Sequence, residues 1–370
     1  MAVRTKFKPN AGVGELLADL NSVFGNGSAA TLENDTKAQI LHWCSFGCFN
    51  LDEATGWGIP GGRITELFGP ESSGKTTMLM AAGIENLRRG GHFIVFDAEG
   101  TFDLDRFQQM GGDSKSVIMI DPGTMEEAYD KLKRILDWAK KQEVPSNAVV
   151  LIAIDSMPRL IPAKMLESEG EDQFIGLQAR INTQHLPIVD ENMGANTALV
   201  ILNQVRDKIG AMAWNADGNI DTPGGRVLKH LCSVRILFNK AGQIDNGQAK
   251  EKRQIMGMKT QAKVVKNKIA PPLRKATFNV MFDKRGVDNM TVLLNMGVEC
   301  GMIKKGGAGM FTLKIGPDKV KQFRAAQFAE VLEKLPKTTA KLLGKIGQLE
   351  QLPPDFDRYK GQAEVVEEDD

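Results

Sequence analysis

The chain is poor in cysteine, poor in aromatic side chains and nearly neutral. Four cysteines, Cys44, Cys48, Cys232 and Cys300, are too few and too scattered across 370 residues for a disulfide framework, which points to a reducing compartment. Cys44 and Cys48 stand close together in CSFGC, but no second Cys/His pair completes a zinc site, so they read as small apolar residues. No apolar run is long enough to cross a bilayer, and no basic-then-apolar leader opens the sequence. The expectation is a cytoplasmic protein without a membrane partner. An excess of one charge is missing too: 47 Lys and Arg against 46 Asp and Glu leave a net charge of +1. That balance neither requires nor excludes nucleic acid, because a basic stripe can be offset by acids elsewhere.

What the sequence does have is organised around residues 64–77, ITELFGPESSGKTT, which read as a strand, a glycine-rich loop and a helix start. Gly69-Pro70-Glu71-Ser72-Ser73-Gly74-Lys75-Thr76, followed by Thr77, fits the phosphate-binding pattern G-x-x-x-x-G-K-[ST]. Gly69 and Gly74 let the backbone turn tightly, so that consecutive N–H groups converge on a phosphate at a helix N-terminus. Lys75 can reach the β- and γ-phosphates of a nucleotide, and Thr76 offers a hydroxyl to Mg²⁺. A chance glycine-rich turn is the competing reading, and it would lack the strand before and the amphipathic helix after.

Beyond that loop, strands and helices alternate in the βαβ manner of an α/β fold with a central, mostly parallel sheet, finishing with antiparallel members over RILF, QAKVVKNK and TFNVMF. Thr124 and Glu127 make a capping box before KLKRILDWAKK. Asp155 ends the apolar strand VVLIAID, expected beside the phosphate-loop strand, where a carboxylate can hold the water shell of Mg²⁺. Glu99 closes the strand HFIVFDAE at the same edge and can orient or deprotonate an attacking water, although Asp97 competes for that part because alternation puts both on one face. Gln204, the last residue of ALVILNQ, is an amide able to sense a γ-phosphate.

Residues 205–225 then form a glycine- and polar-rich excursion too long to be core, the kind of loop that usually carries function. There Arg206 and Lys208 supply phosphate contacts, Ile209, Met212 and Trp214 can stack on or wedge between bases, and Gly210, Gly224 and Gly225 let backbone approach closely. Ile175, Gly176, Arg180 and Thr183 mark a second candidate segment after LESEGEDQF. Lys266 and Lys268, expected on one face of one strand, suit a phosphate held by a neighbouring subunit. The expected organisation is an N-terminal helix and subunit-docking segment over 1–35, a core over 36–289, a small α+β domain over 290–350 in which KKGGAG makes a hairpin turn, and an acidic tail over 351–370.

GRITELFGPESSGKTT, FDAEGTFD, AIDS, IGLQAR, LNQVRDKIG, TPGG and VVKNKIAPP occur in the order and at roughly the spacing of the bacterial RecA-type recombinases, and the likeness runs over about residues 16–334. The resemblance implies an ATP-driven filament on single-stranded DNA that pairs with homologous duplex DNA and exchanges strands, with ATP and Mg²⁺ as cofactors and single-stranded-DNA-binding or mediator proteins as further partners. It implies that Glu99 is the catalytic glutamate, Gln204 the γ-phosphate sensor, and Lys266 and Lys268 the lysines that reach ATP from the adjacent protomer. The segments around 174–180 and 205–225 resemble two DNA-binding loops, with Ile209 spacing base triplets. Where the family commonly stacks a tyrosine on adenine after Asp103, this chain has Arg106, whose planar guanidinium can stack instead. Two other classes remain as alternatives: a hexameric helicase motor on the same core, marked by an added N-terminal scaffold, and a DNA-binding filament without catalysis, against which Lys75, Glu99 and Asp155 argue.

Overall fold

The computed structural model describes residues 12–25, 28–35, 39–167, 176–207, 220–247, 252–314, 320–335 and 341–342. The chain divides into a unit of residues 1–41 and one of residues 42–370. Helix α1 (Gly12–Phe24) lies in the first unit and has no buried residue; Leu16, Val23 and Phe24 are exposed. Exposed apolar residues at helical spacing form a stripe that needs a partner to bury it.

In the second unit a short ribbon and helix come first: β1 (Trp43–Cys44), α2 (Phe49–Thr55) and β2 (Ile59–Pro60). Alternating units follow: β3 (Arg63–Gly69), α3 (Lys75–Arg88), β4 (His92–Asp97), α4 (Leu104–Gln109), β5 (Val117–Ile120), α5 (Met125–Ala139), β6 (Val150–Asp155), α6 (Ala163–Glu167), α7 (Leu177–Asn192) and β7 (Thr197–Gln204). After these run β8 (Arg206–Asp207), β9 (Ile220–Asp221), α8 (Gly225–Leu231), β10 (Val234–Asp245), β11 (Ile255–Asn267) and β12 (Lys275–Met281). The chain then adds α9 (Asn289–Glu299), a separate antiparallel sheet of β13 (Ile303–Lys305), β14 (Met310–Lys314) and β15 (Val320–Arg324), and α10 (Phe328–Glu333). KKGGAG joins β13 to β14 as the expected hairpin.

The central sheet has 8 strands in the order β12-β11-β10-β3-β7-β6-β4-β5. The strands from β10 to β5 pair in parallel, whereas β11 and β12 pair antiparallel. Every residue of β6, and all of β7 up to Asn203, is buried, as a parallel strand covered on both faces requires. Apolar side chains on the two faces gather into two clusters, one around Leu67, Val95 and Leu151 and one around Ile64, Ile94 and Ile152. These residues alternate along each strand, so a single sheet feeds both cores.

Three sequence expectations need correction. Strand β4 ends at Asp97, so Glu99 lies just beyond the strand and does not close it. The Asp155 strand is not beside the phosphate-loop strand: β7 lies between β3 and β6. In a doubly wound sheet chain order does not fix spatial order, and the later strand occupies the central position. Lys268 also falls outside β11, because Asn267 ends the strand by accepting hydrogen bonds from the N–H groups of Ile269 (2.9 Å) and Ala270 (3.0 Å). Among the described residues no helix is long and apolar enough to cross a membrane.

Candidate nucleotide-binding site and the segments beside it

Because β3, β7, β6 and β4 are parallel, their carboxyl ends share one edge, with Gly69 opposite Gln204 and Asp97 opposite Asp155. The phosphate loop leaves β3 there. A Cβ on Gly69 would sit 2.2 Å from the Phe238 carbonyl oxygen on β10, so only glycine fits. Gly74, with φ +94°, opens α3 from the left-handed region. Lys75 folds its amine back onto the loop, donating to the carbonyls of Gly69 (2.9 Å) and Pro70 (2.8 Å). Burial lowers its pKa, against the pull of Asp155, Glu99 and Glu71. Among the described residues the buried Ser73 hydroxyl has no hydrogen-bond partner, a polar atom left over in a loop built of N–H donors.

Beside Lys75 in the first turn of α3, the Thr76 hydroxyl donates to Asp155 Oδ2 at 3.0 Å. Burial pushes the Asp155 carboxyl up to about 6, and Glu99 and Asp97 add to the shift. The Glu99 carboxylate accepts from the Ser156 hydroxyl and lies 3.4 Å from Gln204 Nε2. Asp97, by contrast, spends both oxygens on its own loop, accepting from the N–H of Thr101 (3.2 Å) and of Phe102 (3.1 Å). The structure thus separates two carboxylates that alternation alone leaves equivalent: one shapes a turn, the other faces Gln204 and the phosphate loop. No group of three or more His, Cys, Asp or Glu side chains gathers to hold a metal among the described residues. A single carboxylate with one hydroxyl fits Mg²⁺, a hard cation that keeps several waters and takes phosphate oxygens as its remaining ligands.

Asp103 caps α4, accepting from the Arg106 N–H at 2.9 Å. The Arg106 guanidinium donates to the carbonyls of Met281 and Asp283, bonds that lie in its plane and leave the faces unused. Lys266 donates from Nζ to the carbonyls of Lys229 (2.7 Å) and His230 (2.8 Å), capping the C-terminal end of α8, while Lys268 is exposed. Ile175, Lys208, Ile209, Gly210, Met212 and Trp214 lie outside the described residues, and Arg206 is described only by its backbone, which pairs with Asp221. The flanks of these segments are described. Gly176 and Gly224, with φ +79° and +101°, precede α7 and α8; Arg180 and Thr183 are exposed on α7, and a Cβ on Gly225 would lie 2.8 Å from that of Ala179.

Sequence reasoning missed a buried polar network behind the site. Glu66, wholly buried on β3, accepts from Arg235 on the adjoining β10 and from Asn203 Nδ2 (2.8 Å) on β7. Asn203 also accepts from the Gln204 N–H (3.0 Å) and donates to the Pro223 carbonyl (2.9 Å). Arg235 reaches the Thr222 hydroxyl (3.2 Å) and stacks over Phe68 at 4.7 Å. The signal was present: a glutamate inside the apolar strand ITELF needs a buried cation. Arg235→Met removes it and leaves Glu66 charged and unpaired, for an expected loss of about 3–5 kcal/mol of stability in urea unfolding; a loss below about 1 kcal/mol would mean the pair is not desolvated.

The chain was compared with known proteins. The RecA N-terminal domain model matches residues 12–288. The chain is 36% identical over 291 residues to Protein RecA of Chlorobaculum tepidum, covering 78% of this chain and 79% of that one. It is 38% identical over 294 residues to Protein RecA of Zymomonas mobilis, covering 79% and 78%. Against Protein RecA of Thermus thermophilus it is 35% identical over 337 residues, covering 90% and 94%.

Proposed function

The chain belongs to the RecA family, a family of recombination and repair proteins, and we propose that it forms an ATP-driven helical filament on single-stranded DNA, pairs that DNA with homologous duplex and exchanges strands. The observation that carries the proposal is the convergence of Lys75, the Thr76–Asp155 pair, Glu99 and Gln204 at one edge of the sheet. In this reading the loop of residues 69–77 binds the phosphates of ATP, and the Ser73 hydroxyl and the Lys75 amine exchange their present surroundings for phosphate oxygens. Thr76 and Asp155 hold Mg²⁺, which on binding neutralises charge on those oxygens. Glu99 accepts the proton of the attacking water, and Gln204 hydrogen-bonds the γ-phosphate, exchanging its long contact to Glu99 for one to nucleotide. Arg106 and Asp103 border the base.

Residues 174–180, with Thr183 beyond them, and residues 205–225 are the DNA-binding segments of the proposal. The exposed stripe of α1 docks on the next copy, and Lys266 with Lys268 reaches that copy's nucleotide. The deciding experiment is ATP hydrolysis with Mg²⁺, with and without mixed-sequence single-stranded DNA, alongside electron microscopy. DNA-stimulated hydrolysis in helical filaments is the expected result. Closed rings would instead favour a helicase-type motor, and filaments without hydrolysis a binding-only protein.

The raised pKa of Asp155 has a definite sign. Its folded value of about 6 lies above its ordinary value of 3.8, so its contribution to stability is full below about 4 and is lost as pH rises through about 6. Mg²⁺ needs the ionised form and competes with the proton. The Mg²⁺ concentration for half-maximal ATP binding is therefore expected to rise steeply as pH falls from 7 to 5, and in Asp155→Asn to be high and flat across that range. The same pH dependence in Asp155→Asn would assign the titration elsewhere.

A further inference from the structure

Gly224 precedes α8 at the return end of the second proposed DNA-binding segment, and the first runs into α7, which begins at Leu177. One side chain joins them. Asn182, wholly buried on α7, donates from Nδ2 to the Gly224 carbonyl at 2.9 Å. Its Oδ1 accepts from the Tyr129 hydroxyl on α5, and the Tyr129 ring is buried and stacked on His185 at 4.8 Å. The amide is thereby held from behind and used in front. Arg180 and Thr183, its neighbours on α7, point to solvent.

The surroundings leave little slack. A Cβ on Gly224 would fall 3.2 Å from Asn182 Nδ2 and 2.9 Å from Leu228, and Gly225 is pressed on Ala179, so α7 and the start of α8 meet backbone to side chain. The preceding residues are tied separately, Thr222 to Arg235 and Pro223 to Asn203, both of which belong to the nucleotide-bearing strands. Residues 222–224 thus carry consecutive anchors, and the last of them alone comes from α7.

We propose that Asn182 is a positioning residue that ties residues 222–224, at the return of the second DNA-binding segment, to α7, into which the first segment runs, and that affinity for single-stranded DNA depends on this tie. This rests on the DNA-binding reading of residues 174–180, with Thr183, and of residues 205–225. Asn182 touches neither nucleotide nor catalytic groups, and its loss leaves those groups in place. The bond's contribution is that of one buried hydrogen bond, which sets the expected loss of DNA affinity at about fivefold to tenfold.

A plain core role would also make Asn182→Leu harmful, because it strands the Tyr129 hydroxyl in an apolar site. The test therefore pairs it with Asn182→Leu/Tyr129→Phe, which removes the stranded group and leaves the Gly224 carbonyl without its donor. Melting temperature, hydrolysis without DNA, and affinity for a fluorescein-labelled oligothymidylate with a non-hydrolysable ATP analogue are measured on full-length chains. The double variant is expected to regain most of the melting temperature lost in Asn182→Leu, and wild-type DNA-independent hydrolysis, while still binding the oligonucleotide about fivefold to tenfold more weakly. Recovery of DNA affinity together with stability would overturn the proposal and leave Asn182 a core amide. A wild-type chain that does not bind the oligonucleotide would remove the DNA-binding reading itself, and the inference with it.

Discussion

Glu99→Gln is expected to bind ATP and single-stranded DNA with near wild-type affinity and to hydrolyse ATP about 10²- to 10⁴-fold more slowly, the usual contribution of a positioned general base. The substitution keeps the size of the side chain and one acceptor oxygen for Ser156 and Gln204, so the edge of the sheet is disturbed little. What it removes is the negative charge that, in the proposed function, takes a proton from water. Asp97→Asn provides the contrast. That carboxylate holds the N–H groups of Thr101 and Phe102, so its loss is expected to appear in the loop leading to α4, and so in nucleotide affinity, more than in turnover. Single-turnover hydrolysis with saturating ATP separates the two: if Asp97→Asn stops chemistry while Glu99→Gln turns over normally, the assignment is reversed.

Much of the site was legible because its chemistry demands particular residues in local order. The phosphate loop needs its glycines, lysine and threonine within a few positions, and the strands that carry Glu99, Asp155 and Gln204 are apolar runs with a polar end. What was not legible depended on distance along the chain. That β7 separates β3 from β6 is a property of the crossovers, which no strand encodes by itself. Helix α8, GRVLKHL, went unseen because its opening glycines read as the end of a loop, and with it went the capping place of Lys266. That Asp97 closes a turn while Glu99 faces Gln204 depends on the loop after β4, which alternation along the strand does not describe. Glu66, Asn203 and Arg235 lie far apart in sequence and meet because β3, β7 and β10 are neighbours.

Lys266→Ala is expected to abolish DNA-stimulated hydrolysis while leaving a folded chain with normal affinity for ATP as a monomer. Within one chain the amine caps α8, and the loss of a cation at a helix C-terminus costs about 0.3–1 kcal/mol, too little to unfold the protein. If capping were the only role, hydrolysis would survive nearly intact. If the lysine instead leaves its cap to reach the nucleotide of the adjacent copy, each active site is assembled from two chains, and two inactive variants should complement each other. Glu99→Gln retains Lys266, and Lys266→Ala retains Glu99. In filaments randomly assembled from equal amounts of both, about a quarter of the head-to-tail interfaces bring an intact Glu99 against an intact Lys266. Mixed filaments should recover hydrolysis in about that proportion, although neither variant hydrolyses alone. Recovery requires the two groups to act across an interface; a mixture as inactive as its parts, in filaments shown by microscopy to be mixed, would return Lys266 to a role inside its own chain.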